Sequence, residues 1–231
     1  MQKTNNQQDY TSNPTTEQPI DEHRSLEIIT RMIADTSAKI DSNSGRYFLL
    51  WGYTTVLVSL FEYVAQVSGW SMPLCLWAWW LIPLVGGIGT IILTRSERHG
   101  KKLPKSYLDR SVSIVWTVFG LSFGFALIAA LVYGTNLLFL TAMLMGMGTV
   151  ITGKICRHKV LTVAGKAAMI LTLLFPANHL LVTQCSESII EAGFISIDAL
   201  LYAEILIFAA IFMVMMVIPG HILTNRAKKN R

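Results

Sequence analysis

SVSIVWTVFGLSFGFALIAALVYGTNLLFLTAMLMGMGTV, residues 111–150, contains no charged side chain and a single turn-forming break, Gly134-Thr135-Asn136. A helix needs roughly 20 apolar residues to cross a bilayer, and each side of the break approaches or exceeds that length. A soluble core would show shorter apolar runs with solvent-facing residues between them. The stretch therefore predicts two membrane-spanning helices joined by a tight antiparallel turn.

Four more apolar runs of bilayer length lie on the two sides of this hairpin. The whole chain is 52% hydrophobic and only 14% charged, far from the composition of soluble domains. We therefore predict an all-α, polytopic membrane protein with six transmembrane helices within residues 46–223. The lipid bilayer is its expected partner. The predicted spans are residues 47–67, 76–94, 111–133, 136–152, 160–183 and 199–220.

The first 45 residues differ in composition from the rest of the chain. Residues 1–20 are rich in Asn, Gln, Thr and Pro and offer little to bury, which predicts a disordered tail. Residues 21–45 predict a cytoplasmic amphipathic helix that Asp21 caps and Gly45 ends. Its apolar stripe consists of Leu26, Ile29, Ile33 and Ile40. This helix either packs on its own bundle, pairs with its copy or docks another protein.

Basic residues mark every second break between the spans. They precede the first span, fill the breaks after the second and fourth spans, and continue in the tail at residues 224–231, whereas the other three breaks contain none. Because positive flanks are retained in the cytoplasm, this asymmetry predicts that both termini are cytoplasmic. The net charge of +5 is thus a topology signal, and no nucleic-acid partner is expected.

Four short segments stand in an order that resembles a known family. They are SLEIITRMIADTSAKI at 25–40, RYFLLWGY at 46–53, IPLVGGIG at 82–89 and IPGHIL at 218–223. The order is similar to that of a group of bacterial six-helix inner-membrane proteins, and the similarity covers about residues 25–225. This resemblance implies a multi-pass protein of the bacterial inner membrane, and it implies no activity.

Convincing signatures of chemistry are missing from the sequence. It contains no His-Glu-x-x-His and no Cys-x-x-Cys. Gly120-Leu121-Ser122-Phe123-Gly124 matches Gly-x-Ser-x-Gly, but it lies inside a predicted span and lacks the strand-turn-helix setting that this motif needs. Gly86-Gly87-x-Gly89 superficially resembles a nucleotide loop, but it lies inside a predicted span with no strand before it. We therefore expect no enzymatic activity, no cofactor and no metal site.

Small residues, prolines and cysteines suggest how the bundle is built. Gly120-x-x-x-Gly124 allows close approach of helices, either within the bundle or at a homodimer seam. The prolines inside predicted spans are expected to kink their helices, and they are Pro83, Pro176 and Pro219. Cys75 and Cys185 both fall on the predicted non-cytoplasmic side, where they either form a disulfide or remain two separate thiols.

Three ionisable residues fall at similar depth in the outer half of the predicted bundle: Glu62, His179 and Glu204. Counting the helical rise from the membrane boundaries places the two carboxylates at nearly the same level, and His179 matches if its helix enters near Lys166. Intramembrane charges are costly and usually face the bundle interior, so these three predict a polar pocket open to the outside. The alternative is that each side chain reaches the outer headgroups separately.

Three classes of function fit these patterns to different degrees. The first is a non-enzymatic scaffold or regulator that acts through the helix at residues 21–45. The alternative is a small transporter or channel with a polar pocket in the outer leaflet, although few polar groups lie at the midplane. An intramembrane enzyme ranks third, because no nucleophile or metal site is visible.

Overall fold

The computed structural model describes residues 22–70, 77–98, 107–184 and 197–229. Every regular element in these ranges is a helix, as the hydropathy pattern predicts. The tail at residues 1–20 and the pair Cys75 and Cys185 lie outside the described residues, so what was expected of them stays a prediction. The elements are α1 Glu22–Val67, α2 Leu81–Arg98, α3 Tyr107–Tyr133, α4 Leu137–Ile155, α5 Lys159–Leu171, α6 Leu174–Gln184, α7 Ile197–Phe212, a π-helical segment Met213–Val217 and α8 Ile218–Lys229.

In the part of the chain that the structure describes, five helices are long and apolar enough to cross a membrane, and a sixth apolar helix, Leu81–Ser96, is shorter. The protein is therefore a polytopic, all-helical membrane protein. The five long spans are Gly45–Val67, Arg110–Tyr133, Leu137–Ile155, Lys159–Thr183 and Tyr202–Lys229. The predicted hairpin break at Gly134-Thr135-Asn136 is confirmed, because α3 ends at Tyr133 and α4 begins at Leu137. Gly134 has a φ of +65°, a conformation that glycine adopts without strain.

The predicted end of the N-terminal helix at Gly45 is wrong, because α1 runs without interruption for 46 residues from Glu22 to Val67. A glycine inside a helix costs only about 1 kcal/mol relative to alanine, so it does not by itself stop one. Gly45 has a packing role instead. A Cβ at Gly45 would lie 2.6 Å from Thr224 Oγ1 and 3.0 Å from the Gly220 carbonyl, so its small size lets α8 approach α1.

Two of the three prolines distort their helices one turn earlier in the chain. Pro176 cannot donate to the carbonyl of Thr172, and the fifth span breaks there into α5 and α6, with the Phe175 N–H donating to Thr172 instead. Pro219 follows the π-helical segment, in which the Ile218 N–H donates to the Met213 carbonyl. Pro83 was expected to kink α2, but it lies in the first turn, where a missing N–H costs nothing.

The bundle has a central and a peripheral part. The buried core is supplied by α1, α4, α5, α6 and the last span, and its largest members are Phe175, Phe212, Leu161, Ile211 and Met215. In contrast, only 6% of the apolar part of α3 is buried, against 56% of the last span. Gly120 and Gly124 both lie on α3, and a Cβ at either would meet no described atom within 4 Å. These two glycines therefore serve no close contact inside the described bundle.

Candidate functional site: a buried polar stripe on the first span

Polar side chains follow one face of α1 through its membrane-spanning half. Thr55, Ser59, Glu62 and Gln66 are separated by four, three and four residues, a spacing that keeps them on one stripe of a helix. Thr55, Ser59 and Glu62 are 1%, 0% and 0% exposed, so this stripe faces the interior of the bundle. The opposite face of α1 is apolar and exposed at Leu57 and Val64, as expected of a lipid-facing surface.

The last span covers the buried face of α1. A Cβ on Gly52 would lie 2.9 Å from the Cβ of Met216, and one on Gly220 would lie 2.9 Å from the side chain of Leu49, so the two helices run antiparallel in close contact. Extending this register outward brings the α7 stretch from Ile205 to Ala209 to the level of Ser59 and Glu62. Ile205, Phe208 and Ala209 are all buried, so apolar side chains of α7 lie at the depth of the polar stripe.

The hydroxyl groups of Thr55 and Ser59 differ from those of most other threonines in the described bundle. Eight threonines on the described helices donate to a backbone carbonyl three or four residues earlier, which satisfies the hydroxyl within its own helix: Thr54, Thr94, Thr117, Thr149, Thr162, Thr172, Thr183 and Thr224. Within the described part of the chain, the buried oxygens Thr55 Oγ1 and Ser59 Oγ have no hydrogen-bond partner. The two hydroxyls are thus available to a further group.

Glu62 is the buried carboxylate of this stripe. The side-chain nitrogen of Gln66 lies 3.5 Å from Glu62 Oε2, one helical turn further along the same face. Glu62 is also among the largest side chains that are fully buried. An ionisable group inside a membrane span is expensive to bury, and this makes it the first candidate for a functional residue.

Glu204 and His179, the other two residues of the predicted pocket, lie in different environments from Glu62. Glu204 is half-buried on α7 and accepts a hydrogen bond of 2.6 Å from Asn136 Nδ2 at the turn between α3 and α4. His179 is exposed on α6, next to the buried Asn178. The described contacts therefore bring Glu62 to Gln66 and Glu204 to Asn136, and a pocket shared by all three residues stays a prediction.

Hydrogen bonds from α1 also tie the first turns of its span to neighbouring helices. Trp51 Nε1 donates to Thr90 Oγ1 at 3.0 Å, and the Trp51 ring packs where Gly86 leaves room. The Tyr53 hydroxyl hydrogen-bonds His221 Nε2, and the two rings meet edge to face at 5.7 Å. Gly86 thus serves helix packing. The residues that the structure describes contain no group of three His, Cys, Asp or Glu side chains able to hold a metal ion.

Two features of the site were overlooked in the sequence. The four-three-four spacing of Thr55, Ser59, Glu62 and Gln66 is visible there, but small hydroxyl residues in a span do not reveal which face is buried. Asn136 was taken only as part of a turn, although its side chain reaches Glu204, 68 residues further along the chain.

No protein-family model, no curated protein and no solved structure matches the chain. The resemblance to bacterial six-helix inner-membrane proteins therefore stays a prediction, and inferences about function rest on the residues themselves.

Proposed function

We propose that the protein is an integral membrane scaffold or regulator that acts through its cytoplasmic N-terminal helix. The observation that carries this proposal is the continuity of α1, in which the segment before Gly45 and the first span are one helix of 46 residues. At about 1.5 Å per residue, such a helix is about 69 Å long, more than twice the thickness of the bilayer core. A partner bound to its N-terminal half would therefore be mechanically coupled to the bundle.

The packing of α1 supports this coupling. Gly45 and Gly52 meet the last span at distances that leave no room for a Cβ, and Trp51 is held by Thr90. A tilt or rotation of α1 would consequently disturb its contacts with α2, α7 and α8 together. The proposed setting is a bacterial inner membrane with six spans and both termini in the cytoplasm, and the basic last turn of α8, with Arg226, Lys228 and Lys229, suits a cytoplasmic end.

A photo-crosslinking amino acid in the full-length protein, in its native membrane, tests this proposal. It is placed on the apolar stripe at Ile29 or Ile33, and a matched control carries it at the exposed Glu27. One discrete adduct from the stripe, absent from the Glu27 control and lost when the other stripe residue is changed to Asp, would support a docking surface. A product of twice the mass of the chain would identify self-association through this helix. Absence of any stripe-specific adduct would remove the proposal.

A small transporter or channel is the second candidate, and the buried polar stripe of Thr55, Ser59 and Glu62 is what favours it. Transport needs polar groups along a path through the bundle, and this stripe supplies them over about two turns of α1. A flux assay in proteoliposomes, with candidate cations inside and outside, tests it. Flux that Glu62→Gln abolishes would support transport, whereas equal leakage from wild-type and empty vesicles would exclude it for the cations used.

A further inference from the structure

Two neighbouring hydroxyls on α1 are buried without a hydrogen-bond partner among the described residues, and a buried carboxylate lies on the same stripe. An unsatisfied buried polar group costs about 1–3 kcal/mol, and a lipid environment offers no water to repair it. A buried hydroxyl on a helix is usually satisfied by donating to a carbonyl three or four residues earlier, as the adjacent Thr54 does to Leu50. Thr55 and Ser59 do not make this hydrogen bond, which indicates that their oxygens serve something else.

The spacing of the three side chains brings their oxygens into one neighbourhood. Residues three and four apart on a helix have Cβ atoms about 5–6 Å from each other, so Thr55 and Ser59 are neighbours, and so are Ser59 and Glu62. Thr152 provides a contrast. Its buried hydroxyl also has no partner among the described residues, but no carboxylate lies within two turns of it on α4. Among the described helices, α1 alone carries buried hydroxyls and a buried carboxylate on one face.

We propose that Thr55, Ser59 and Glu62 hold a partly dehydrated alkali cation inside the bundle. Hydroxyl and carboxylate oxygens are hard ligands that suit hard cations, and a single carboxylate balances a single positive charge. A calcium site would call for six to eight oxygens with several carboxylates, and magnesium keeps most of its water, so a divalent ion fits the stripe poorly. Backbone oxygens or water would complete the coordination.

This site does not depend on the proposed scaffold or on transport. A cation held between α1 and the last span would add to the contact of those two helices whether or not it moves across the membrane. Failure of the crosslinking or flux experiments above would leave the site standing, and failure of the site would leave the docking helix standing.

Thermal unfolding of the purified full-length protein in detergent tests the site directly. Sodium chloride and potassium chloride are each titrated against choline chloride at constant ionic strength, so that only the alkali cation changes. A ligand that binds the folded state raises stability with the logarithm of its concentration above Kd, so at least one of the two salts should give a saturable rise in Tm. Glu62→Gln should abolish this rise, and Ser59→Ala should shift its midpoint about tenfold or more to higher concentration.

The matched control is Thr54→Val, which removes a hydroxyl already bonded within α1 and should leave the cation dependence unchanged. If Glu62→Gln does not fold, binding of radioactive sodium or rubidium to wild type, Ser59→Ala and Thr55→Val provides the second measurement. A Tm that neither alkali salt moves, or that moves equally in wild type and Ser59→Ala, would overturn the proposal. Stability that follows pH but ignores both salts would show that the stripe holds a proton instead, and would also overturn it.

Discussion

Asn136 makes two hydrogen bonds at the turn between α3 and α4. Its Oδ1 accepts from the Phe139 N–H at 3.0 Å, which satisfies a donor at the start of α4. Its Nδ2 donates to Glu204 on α7. One side chain thus caps a helix and connects the hairpin to the last span.

Asn136→Ala should lower the free energy of unfolding by about 1–3 kcal/mol, because it removes a helix cap and leaves Glu204 without this donor. Asn136→Asp keeps the oxygen that caps α4, but it places a second carboxylate next to Glu204. It should therefore recover less stability than the cap alone would restore. Unfolding of the purified protein in mixed micelles measures both variants, with the exposed Thr135→Ala as control. Equal stability of Asn136→Ala and wild type would contradict this account.

Arg157 is the one residue other than glycine with a positive φ in the described part of the chain, at +57°. It follows the last turn of α4, where the His158 N–H donates to the Gly153 carbonyl at 2.8 Å, a helix ending that usually places glycine at this position. The left-handed conformation costs an L-residue with a side chain about 1–2 kcal/mol.

Arg157→Gly should therefore stabilise the folded protein by about 1 kcal/mol, the strain relieved less the entropy that glycine gains when unfolded. Lys154→Gly is the matched control, because it removes a neighbouring positive charge from inside α4, where glycine should destabilise. Thermal unfolding of the two variants should move in opposite directions. A loss of stability in Arg157→Gly would mean that its side chain matters more than its backbone.

At the scale of single helices, the sequence predicts where apolar runs lie better than where helices end. The break at Gly134-Thr135-Asn136 was predictable because it follows a full bilayer length of apolar residues. Gly45 was misjudged, because only the position of Gly220 and Thr224 explains why a glycine is needed there. Pro83 and Pro176 have the same local chemistry, and their different effects depend on where each helix begins.

The α4–α5 hairpin offers a direct test of glycine packing. A Cβ at Gly153 would lie 2.6 Å from the backbone nitrogen of Thr162, which cannot move without shifting α5. Gly148 is buried on the same helix, but nothing described lies within 4 Å of its Cβ position. The two glycines therefore differ in packing while they share a helix and a span.

Gly153→Ala should destabilise the protein by about 1–3 kcal/mol, the usual penalty for overpacking, whereas Gly148→Ala should be neutral or gain up to about 1 kcal/mol from helix propensity. Unfolding titrations of the two variants under identical conditions check the difference. An equal loss of stability in both variants would show that the hairpin responds to any added methyl group. The close approach of α4 and α5 at Gly153 would then not be the cause of the loss.

For the whole molecule, hydropathy predicts a polytopic helical membrane protein but not which of its helices lie at the centre. The spans in α1 and α3 are comparably long, yet 50% of the first and 6% of the other are buried inside the protein. Glu62 was recognised as an ionisable group in a span, but its partners on the stripe depend on which face α7 covers. The sequence therefore predicted the membrane class and one residue of the candidate site, and the packing added Thr55 and Ser59.

The topology of the whole chain depends on α2. Its apolar part, Leu81–Ser96, has 16 residues and is about 24 Å long, which is less than the roughly 30 Å of a bilayer core. The described helical turns at Trp77–Trp80 lengthen the segment at its N-terminal end, and Arg95 lies near its C-terminal end. If α2 crosses, the chain has six spans and both termini share a side. If it does not, the C-terminus lies opposite the N-terminus.

Reporter fusions distinguish these two cases. With six spans, fusions after Lys102, after Lys159 and at the C-terminus should report cytoplasm, and fusions after Gly69, Thr135 and Glu191 should report the outside. The decisive pair is Gly69 and Lys102, which flank α2, because opposite readings there mean that α2 crosses. We expect opposite readings, since basic residues such as Arg95, Lys101 and Lys102 are retained in the cytoplasm. Identical readings would reduce the count to five spans. The most basic break in the chain would then lie outside the cytoplasm, against the positive-inside rule. The short length of α2 is not by itself a sufficient reason to expect that result.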